Sequence, residues 1–148
     1  FEKKLYLERG GRMEKTLVLF KPDAVERRLI GRLIAIYEDK GLNITALKML
    51  KPTEEIVQAH YDEHRDKPFF HELVAYLTRG MVCALVIEGE NVVKTVRRIH
   101  GATDPAEAEL GSIRGQFALS KNENLVHASD SVESAEREIK IWFSELIS

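Results

Sequence analysis

The stretch "MVCALVIEG", residues 81–89, is the segment of the chain that decides the fold we expect. It is an almost unbroken apolar run of strand length, preceded by one glycine and ending on another. Such a run predicts a strand buried on both faces, because a strand with one solvated face would alternate apolar and polar residues. A strand of this kind lies inside a sheet with helices packed over it, so the flanking segments should supply those elements.

Three other segments predict strands. Residues 15–21, "KTLVLFK", form a short apolar run that stops at Pro22, and residues 42–50, "LNITALKML", alternate and are closed by Pro52. The segment "NLVHA", residues 124–128, is short and extended. Apolar residues at helical spacing predict helices from Ile30 to Gly41, over residues 53–64, from Phe70 to Gly80, from Val92 to Gly101 and over residues 131–147.

The order of these elements predicts an α+β fold, because three strands come early and the fourth comes after a long excursion. We expect the ferredoxin-like βαββαβ arrangement, a four-stranded antiparallel sheet covered by helices. Before the last strand, residues 101–116, "GATDPAEAELGSIRGQ", predict a long loop with one short helical turn. Loops of this length in a compact domain tend to be functional.

The length of 148 residues predicts one domain with a substantial core, which we assign to residues 13–148. The preceding residues 1–12, "FEKKLYLERGGR", differ in their pattern of residues from the rest of the chain. We interpret them as an N-terminal arm or a remnant outside the fold.

Composition narrows the class of protein. Hydrophobic residues at 44% and charged residues at 31% are typical of a globular domain, and the net charge of −2 argues against a general nucleic-acid binder. The single cysteine, Cys83, excludes a disulfide within the chain and a cysteine-based metal site, and it favours a reducing cytoplasm. No apolar run approaches the ~20 residues of a membrane span.

A histidine stands at the start of the last predicted helix, in "NLVHASDS", residues 124–131. Asp130 and Glu133 have the spacing of a capping box, which predicts that the helix begins there and that His127 lies just ahead of its N-terminus. Such a terminus attracts anions, because free N–H groups point out of it. Glu138, two turns along, can reach back to Ser129 or His127 and orient the imidazole as a nucleophile.

The other four histidines are interpreted as structural: His60, His64, His71 and His100. The pair in "HYDEH", residues 60–64, has the i, i+4 spacing of a zinc site but lacks the H-E-x-x-H pattern, so we expect no metal there.

The chain has neither a P-loop motif nor a G-x-G-x-x-G motif, so any phosphate would be held by side chains and a metal ion. Lys21 ends the first strand, Arg97 and Arg98 lie on the helix after the third strand, and Arg114 lies in the long loop. Together they predict a cluster around one anion. Phe70 belongs to the apolar stripe of its predicted helix, whereas Phe69 lies off that stripe. An exposed aromatic ring can stack on a base, so Phe69 is a candidate for that role.

Four segments resemble nucleoside diphosphate kinases: "FKPDAV", "HYDEHRDKPFF", "NVVKTVRRIHGATDPAEAELGSIRGQF" and "NLVHASDSVESAEREIKIWF". The resemblance is colinear from about Met13 to Phe143, and the His-x-Ser-Asp-Ser-x-Glu-Ser-Ala signature is specific. It implies ping-pong transfer of a γ-phosphate from a nucleoside triphosphate to a nucleoside diphosphate. His127 matches the phosphorylated nucleophile, and Glu138 and Ser129 match the pair that orients it.

The resemblance also implies substrate-binding residues and partners. It matches phosphate and ribose contacts to Lys21, Tyr61, Arg97, Thr103, Arg114 and Asn124, and the base-stacking wall to Phe69 and Leu73. Mg²⁺ would bridge phosphates without a direct protein ligand, with Asp130 reaching it through water. The family forms hexamers or tetramers, and we favour a hexamer assembled through the loop around Pro105.

Three positions depart from the family pattern, and two other classes of function remain open at this point. Ala128 stands where glycine is commoner, Gln116 replaces a usual aspartate, and Lys121 replaces an apolar residue opposite the base. A histidine phosphocarrier or regulatory phosphotransfer protein would use the same His127 without the nucleotide-binding residues. A nucleic-acid-binding module is also compatible with βαββαβ, although the aromatic signature of RNA-binding domains is missing.

Overall fold

A computed structural model describes residues 13–146, and the predicted N-terminal arm, residues 1–12, lies outside this range. The described chain forms a four-stranded sheet of order β2-β3-β1-β4. The strands are β1 (Met13–Phe20), β2 (Asn43–Leu50), β3 (Val82–Glu90) and β4 (Val126–Ala128). All neighbouring pairs are antiparallel, which confirms the predicted ferredoxin-like fold class.

The apolar run around Cys83 is an interior strand, as predicted. Strand β3 pairs with β1 along its whole length, from Met13 opposite Glu90 to Phe20 opposite Cys83, and with β2 on its other side. Its residues from Val82 to Ile87 are buried. Neither face of β3 is solvated, which explains why its sequence does not alternate.

The two faces of the sheet carry separate apolar cores, because successive side chains of a strand point to opposite sides. One core packs Val18, Phe20 and Leu85 against Leu33, Tyr37 and Val96. The other packs Leu17, Leu19 and Val86 against Val57, Leu77 and Trp142. The helices over these faces are α1 (Pro22–Glu26), α2 (Ile30–Asp39), α3 (Glu54–His60), α4 (Phe70–Thr78), α5 (Val92–His100), α6 (Ile113–Phe117) and α7 (Val132–Trp142).

Two of the predicted connections are more structured than expected. The short helix α1 begins directly after β1, because Pro22 occupies its first turn, where proline is tolerated. The long loop contains a 3₁₀ turn, Pro105–Glu107, and then α6, whose N-cap Ser112 accepts a hydrogen bond from Gly115 N at 3.1 Å. The loop therefore contains more helical structure than the single turn that the sequence predicts.

The third helix is shorter than its pattern predicts. Helix α3 starts after Thr53, whose hydroxyl accepts from Ile56 N at 3.2 Å, and ends at His60. A 3₁₀ turn, Asp62–His64, comes next and turns the chain away from the helix axis.

The predicted cap of the last helix was wrong. Helix α7 is capped by Ser131, whose hydroxyl accepts from Ser134 N at 3.0 Å, and it ends at Trp142. Asp130 lies one residue too early and is exposed. A 3₁₀ turn, Ser144–Leu146, succeeds the helix, and Leu146 is 58% exposed and so lies off the apolar face. No helix within residues 13–146 is long and apolar enough to span a membrane.

Candidate active site

A cleft of about 780 Å³ lies where the C-terminal end of β1 meets β4. The helices α3, α4, α5 and α7 and the long loop complete its walls. Of the residues singled out from the sequence, the cleft is lined by Lys21, Tyr61, Phe69, Leu73, Arg97, Thr103, Arg114, Lys121, Asn124, His127, Ala128, Asp130 and Glu138. Ser129 lies behind this surface, fully buried, and Arg98 lines a neighbouring groove.

The imidazole of His127 is held at one nitrogen. His127 Nε2 lies 2.9 Å from Glu138 Oε1, and the histidine side chain is 20% exposed whereas the glutamate side chain is 7% exposed. A carboxylate only accepts hydrogen bonds, so Nε2 carries the proton and Nδ1 keeps its lone pair. The backbone of His127 is fixed as well, because β4 pairs it with Leu19 of β1.

Glu138 is held in turn by Ser129. The serine hydroxyl donates to Glu138 Oε1 at 2.8 Å and accepts from the backbone N–H of Leu17 at 3.1 Å. A chain of hydrogen bonds therefore runs from the backbone of β1 through Ser129 and Glu138 to the ring of His127. The predicted reach of Glu138 back along the helix is present, and it meets both candidate partners.

Lys21 and Asn124 form a polar link across the cleft. Lys21 Nζ donates to Asn124 Oδ1 at 2.9 Å, and Asn124 Nδ2 donates to the backbone oxygen of Thr103 at 3.1 Å. Burial lowers the pKa of Lys21 to about 8, with a further lowering contribution from the nearby Arg114 and an opposing one from Asp23. The amine therefore loses its charge near neutral pH more readily than an exposed lysine.

Arg114 is buried beneath the cleft and is committed in part to backbone oxygens. Its guanidinium donates to Asn124 O at 3.2 Å, Gly101 O at 2.8 Å and Val126 O at 2.6 Å. These bonds use three of its five N–H donors and leave two for an anion. Burial and the positive charge of Arg97 lower the pKa of Arg114. Repulsion of this kind is relieved when an anion enters.

The two adjacent phenylalanines differ in exposure, as their positions in the sequence predict. Phe69 is 42% exposed at the cleft, whereas Phe70 is 4% exposed in the core. The ring of His64 lies 5.7 Å from that of Phe69, and Lys67 Nζ lies 5.7 Å from the same ring. An exposed ring in a cleft wall can stack on a flat ligand, and Lys67 adds a positive charge beside it.

Some residues in and around the cleft were not recognised from the sequence. Asp23 accepts from Tyr76 Oη and, at 3.0 Å, from Leu125 N, so it shapes the turn in which Leu125 adopts a φ of +75°. Its position directly after Pro22, at a strand end, was the available signal. Of the four histidines interpreted as structural, His60, His64 and His100 line the cleft and the first and third of these are buried, whereas His71 is exposed and does not line it.

One group of residues has the composition of a metal site. Single ligand atoms of His60, His127 and Glu138 all lie within 4.8 Å of one another. However, Trp142 Nε1 donates to His60 Nδ1 at 3.1 Å, so the proton of neutral His60 lies on Nε2. A nitrogen that bears a proton cannot ligate a metal, and this group does not form a ready-made metal centre.

The fold and the cleft together define a class: a ferredoxin-like α+β protein with an oriented histidine in a cleft that also holds lysine and arginine side chains and an exposed phenylalanine. A family model described as nucleoside diphosphate kinase matches residues 14–147. The nucleoside diphosphate kinase of Methanothermobacter thermautotrophicus is 58% identical over 133 residues, which cover 90% of this chain and 89% of that protein. The Clostridium perfringens enzyme of the same name is 54% identical over 135 residues, which cover 91% and 94%.

A solved structure agrees. The Aquifex aeolicus nucleoside diphosphate kinase superposes with a TM-score of 0.87 at 43% identity, covering 91% of this chain and 98% of that one. The chain therefore belongs to the nucleoside diphosphate kinase family, and it is a phosphotransferase that acts as a nucleoside-diphosphate kinase. Nothing in these comparisons supports the phosphocarrier alternative.

Proposed function

We propose that the chain transfers the γ-phosphate of a nucleoside triphosphate to a nucleoside diphosphate through a phosphohistidine on His127. The observation that carries this proposal is the hydrogen bond of Nε2 to Glu138, which leaves the lone pair of Nδ1 free. Nδ1 attacks the γ-phosphorus, a P–N bond forms, the P–O bond to the β-phosphate breaks, and the diphosphate leaves. A second nucleoside diphosphate then takes the phosphoryl group in the reverse reaction.

Glu138 and Ser129 orient the nucleophile and act together. The carboxylate stabilises positive charge that develops on the imidazole when the P–N bond forms, because it accepts the hydrogen bond from Nε2 throughout. Ser129 keeps the carboxylate pointed at the ring. Both residues are positioning groups that do not touch the nucleotide.

The cations of the cleft bind the phosphates. The transition state spreads negative charge over the transferring group, so fixed positive charges stabilise it more than they stabilise the ground state. Lys21, Arg97 and the two spare N–H groups of Arg114 supply that charge. Tyr61, Thr103 and Asn124 bind the remaining phosphate and ribose oxygens, an assignment that their place on the cleft wall supports.

Phe69 and Leu73 form the wall on which the base stacks. Stacking uses the face of the base rather than its edge, so it tolerates all the common bases. Lys121 also lines the cleft. In this proposal its aliphatic stem covers the base while its ammonium group stays in water.

Mg²⁺ is the cofactor that this site fits. Kinases of this kind generally need a divalent metal, and Mg²⁺ prefers phosphate oxygens, water and one or two carboxylates. Asp130 is exposed at the cleft, and hydrogen bonds from Ser134 and Ser131 lower its pKa, so it stays ionised. It would hold Mg²⁺ through water, and the bound ion would neutralise charge on the β- and γ-phosphates.

Residues 13–148 act as one domain, and the enzyme assembles as a hexamer through the loop around Pro105. The loop supports this assembly, since Leu110 is 86% exposed and Leu119, just after α6, is 98% exposed. Burial of these two side chains between subunits would remove their apolar surface from water, which favours assembly. We assign the enzyme to the cytoplasm, where the buried free thiol of Cys83 stays reduced.

Incubation with γ-labelled ATP and Mg²⁺ tests the proposed function. We expect an acid-labile label on the protein that any added nucleoside diphosphate removes, because the phosphoryl group is transferred onward. His127→Ala should abolish labelling while thermal unfolding stays cooperative. Labelling that persists in this variant would reject His127 as the nucleophile, and a label that no diphosphate removes would indicate a phosphocarrier instead.

A further inference from the structure

A buried pair, His60 and Trp142, lies directly beside the proposed nucleophile. His60 is 3% exposed and Trp142 is 1% exposed, and Trp142 Nε1 donates to His60 Nδ1 at 3.1 Å. The rings of His60 and His127 meet edge to face, with centroids 4.5 Å apart and an interplanar angle of 79°. The phosphoryl-transfer scheme proposed above gives neither His60 nor Trp142 a role.

The hydrogen bond with Trp142 determines which nitrogen of His60 carries the proton. An indole N–H only donates, so Nδ1 must accept and the proton of the neutral ring lies on Nε2. Protonation of His60 would place a proton on Nδ1, where it would face the N–H of Trp142, and the hydrogen bond between them would be lost. Burial lowers the pKa of His60 well below its usual value, and positive charge from His127, Arg137, Lys21 and His64 lowers it further.

Glu138 alone leaves one motion of the His127 ring weakly restrained. Rotation about the Cβ–Cγ bond displaces Nδ1 more than Nε2, because Nε2 lies nearer the rotation axis. A hydrogen bond tolerates a moderate change of angle, so the bond from Nε2 to Glu138 survives rotations that move Nδ1 away from its target. The ring of His60, packed at a right angle against His127, opposes this rotation.

We propose that His60, locked by Trp142, is a positioning residue that fixes the ring plane of His127 so that Nδ1 faces the γ-phosphorus. The inference rests on the proposed function, because it takes His127 as the nucleophile. His60 does not touch the nucleotide in this scheme and stays neutral. Its contribution is geometric, and displacement of a reacting atom by about 1 Å can slow a reaction about a hundredfold.

The test compares two buried aromatic residues at the end of α7. Trp142→Phe keeps an aromatic ring but removes the donor to His60, whereas Phe143→Leu changes a neighbour that is 2% exposed and that has no ring contact or hydrogen bond with His60 among the described residues. For Trp142→Phe we expect single-turnover phosphorylation at saturating Mg-ATP to slow about ten- to hundredfold, with nucleotide affinity within about twofold. Phe143→Leu should keep a rate near that of the unaltered enzyme. Equal slowing in both variants would reduce the effect to general destabilisation and overturn the proposal.

A second measurement uses the unaltered protein and does not depend on a variant folding. ¹⁵N chemical shifts of His60 should show Nδ1 unprotonated and Nε2 protonated across neutral pH. A proton on Nδ1 would overturn the inference. The labelling experiment with His127→Ala separates the two claims. A label that persists in His127→Ala rejects the proposed function. If His127→Ala loses the label but Trp142→Phe is phosphorylated at the normal rate, only the role of His60 is rejected.

Discussion

At the scale of single residues, one carboxylate oxygen organises the site. Glu138 Oε1 accepts from both His127 and Ser129, at 2.9 and 2.8 Å. Ser129 Oγ accepts from Leu17 N at 3.1 Å and donates to Glu138 Oε1, which at 2.8 Å is much closer than the backbone oxygen of Leu17 at 3.5 Å. Hydrogen bonds thus connect the imidazole to the backbone of the interior strand β1. The backbone of an interior strand is among the most rigid parts of a small domain.

The pKa of Lys21 predicts how nucleotide use varies with pH. Burial lowers this pKa to about 8, so the amine of the free enzyme is charged below pH 8 and neutral above it. We expect kcat/KM for nucleoside triphosphate to fall above that pH by up to tenfold per pH unit. The kcat limb should lie at higher pH, because bound phosphates raise the pKa of the amine.

Steady-state kinetics from about pH 7 to 10 measure this dependence. Lys21→Arg is the control, since a guanidinium stays charged throughout and the alkaline limb should disappear even though the rate is lower. An alkaline limb of the same position in Lys21→Arg would mean that another group controls binding.

At the scale of elements, two adjacent residues at the start of α7 have different roles. Ser131 caps the helix through its hydroxyl, and this leaves the carboxylate of Asp130 exposed at the cleft. A capping aspartate would have committed its oxygen to a backbone N–H. The same terminus therefore provides a stable helix and an exposed carboxylate in the cleft wall.

The backbone of the long loop packs closely against Gly115. A Cβ at Gly115 would collide with the backbone oxygen of Glu109, whereas a Cβ at Gly111 would meet nothing within 4 Å. We expect Gly115→Ala to lower the free energy of unfolding by about 1–3 kcal/mol, because backbone must shift to make room. Gly111→Ala in the same loop is the matched control and should change stability by less than about 0.5 kcal/mol.

Chemical denaturation with an unchanged m-value measures this difference. The shift in Gly115→Ala should also reach the site, because Arg114 is the preceding residue and binds three backbone oxygens. Equal stability of the two variants would mean that the loop adapts without strain.

At the scale of the whole molecule, several large apolar side chains remain exposed on the described domain. The outer strand β2 exposes Leu47 at 47% and Met49 at 42%, and the long loop exposes Leu110 at 86%. The hexamer that we propose would bury such side chains between subunits and so remove their apolar surface from water. Assembly of a closed ring or a hexamer needs at least two such surfaces.

The proposed hexamer is tested at the loop around Pro105. We expect light scattering to give the mass of six chains, and Leu110→Glu to give a smaller species, because a charge cannot be buried unpaired between subunits. Far-ultraviolet circular dichroism should stay unchanged, since Leu110 makes no contribution to the core. A hexamer that survives this substitution would move the interface away from the loop.

Much of the molecule was predictable from the sequence, because local patterns carry the information. The run around Cys83, the turn at Pro22 and the helix end at Gly41, where φ is +89°, result from burial, ring geometry and the freedom of glycine. The cap of α7 was mispredicted because Asp130 and Ser131 are both good capping residues, and only the backbone angles distinguish them.

The role inferred for His60 was beyond the reach of the sequence for a different reason. Its partners, Trp142 and His127, are 82 and 67 residues away along the chain and belong to other elements. A histidine in "HYDEH" gives no sign of the donor that fixes its tautomer. Such a contact exists only after α3 and α7 pack on the same face of the sheet.

By itself, the sequence determined the four strands, the longer helices, the fold class, the family and most of the proposed site residues, since each rests on local spacing or on a specific motif. Only the tertiary structure decided which atoms meet: Ser129 with Leu17, Glu138 with one nitrogen of His127, and Trp142 with His60. The physical reason is that hydrogen bonds and ring contacts act over a few ångströms, whereas the residues that make them are brought together by burial of two apolar cores.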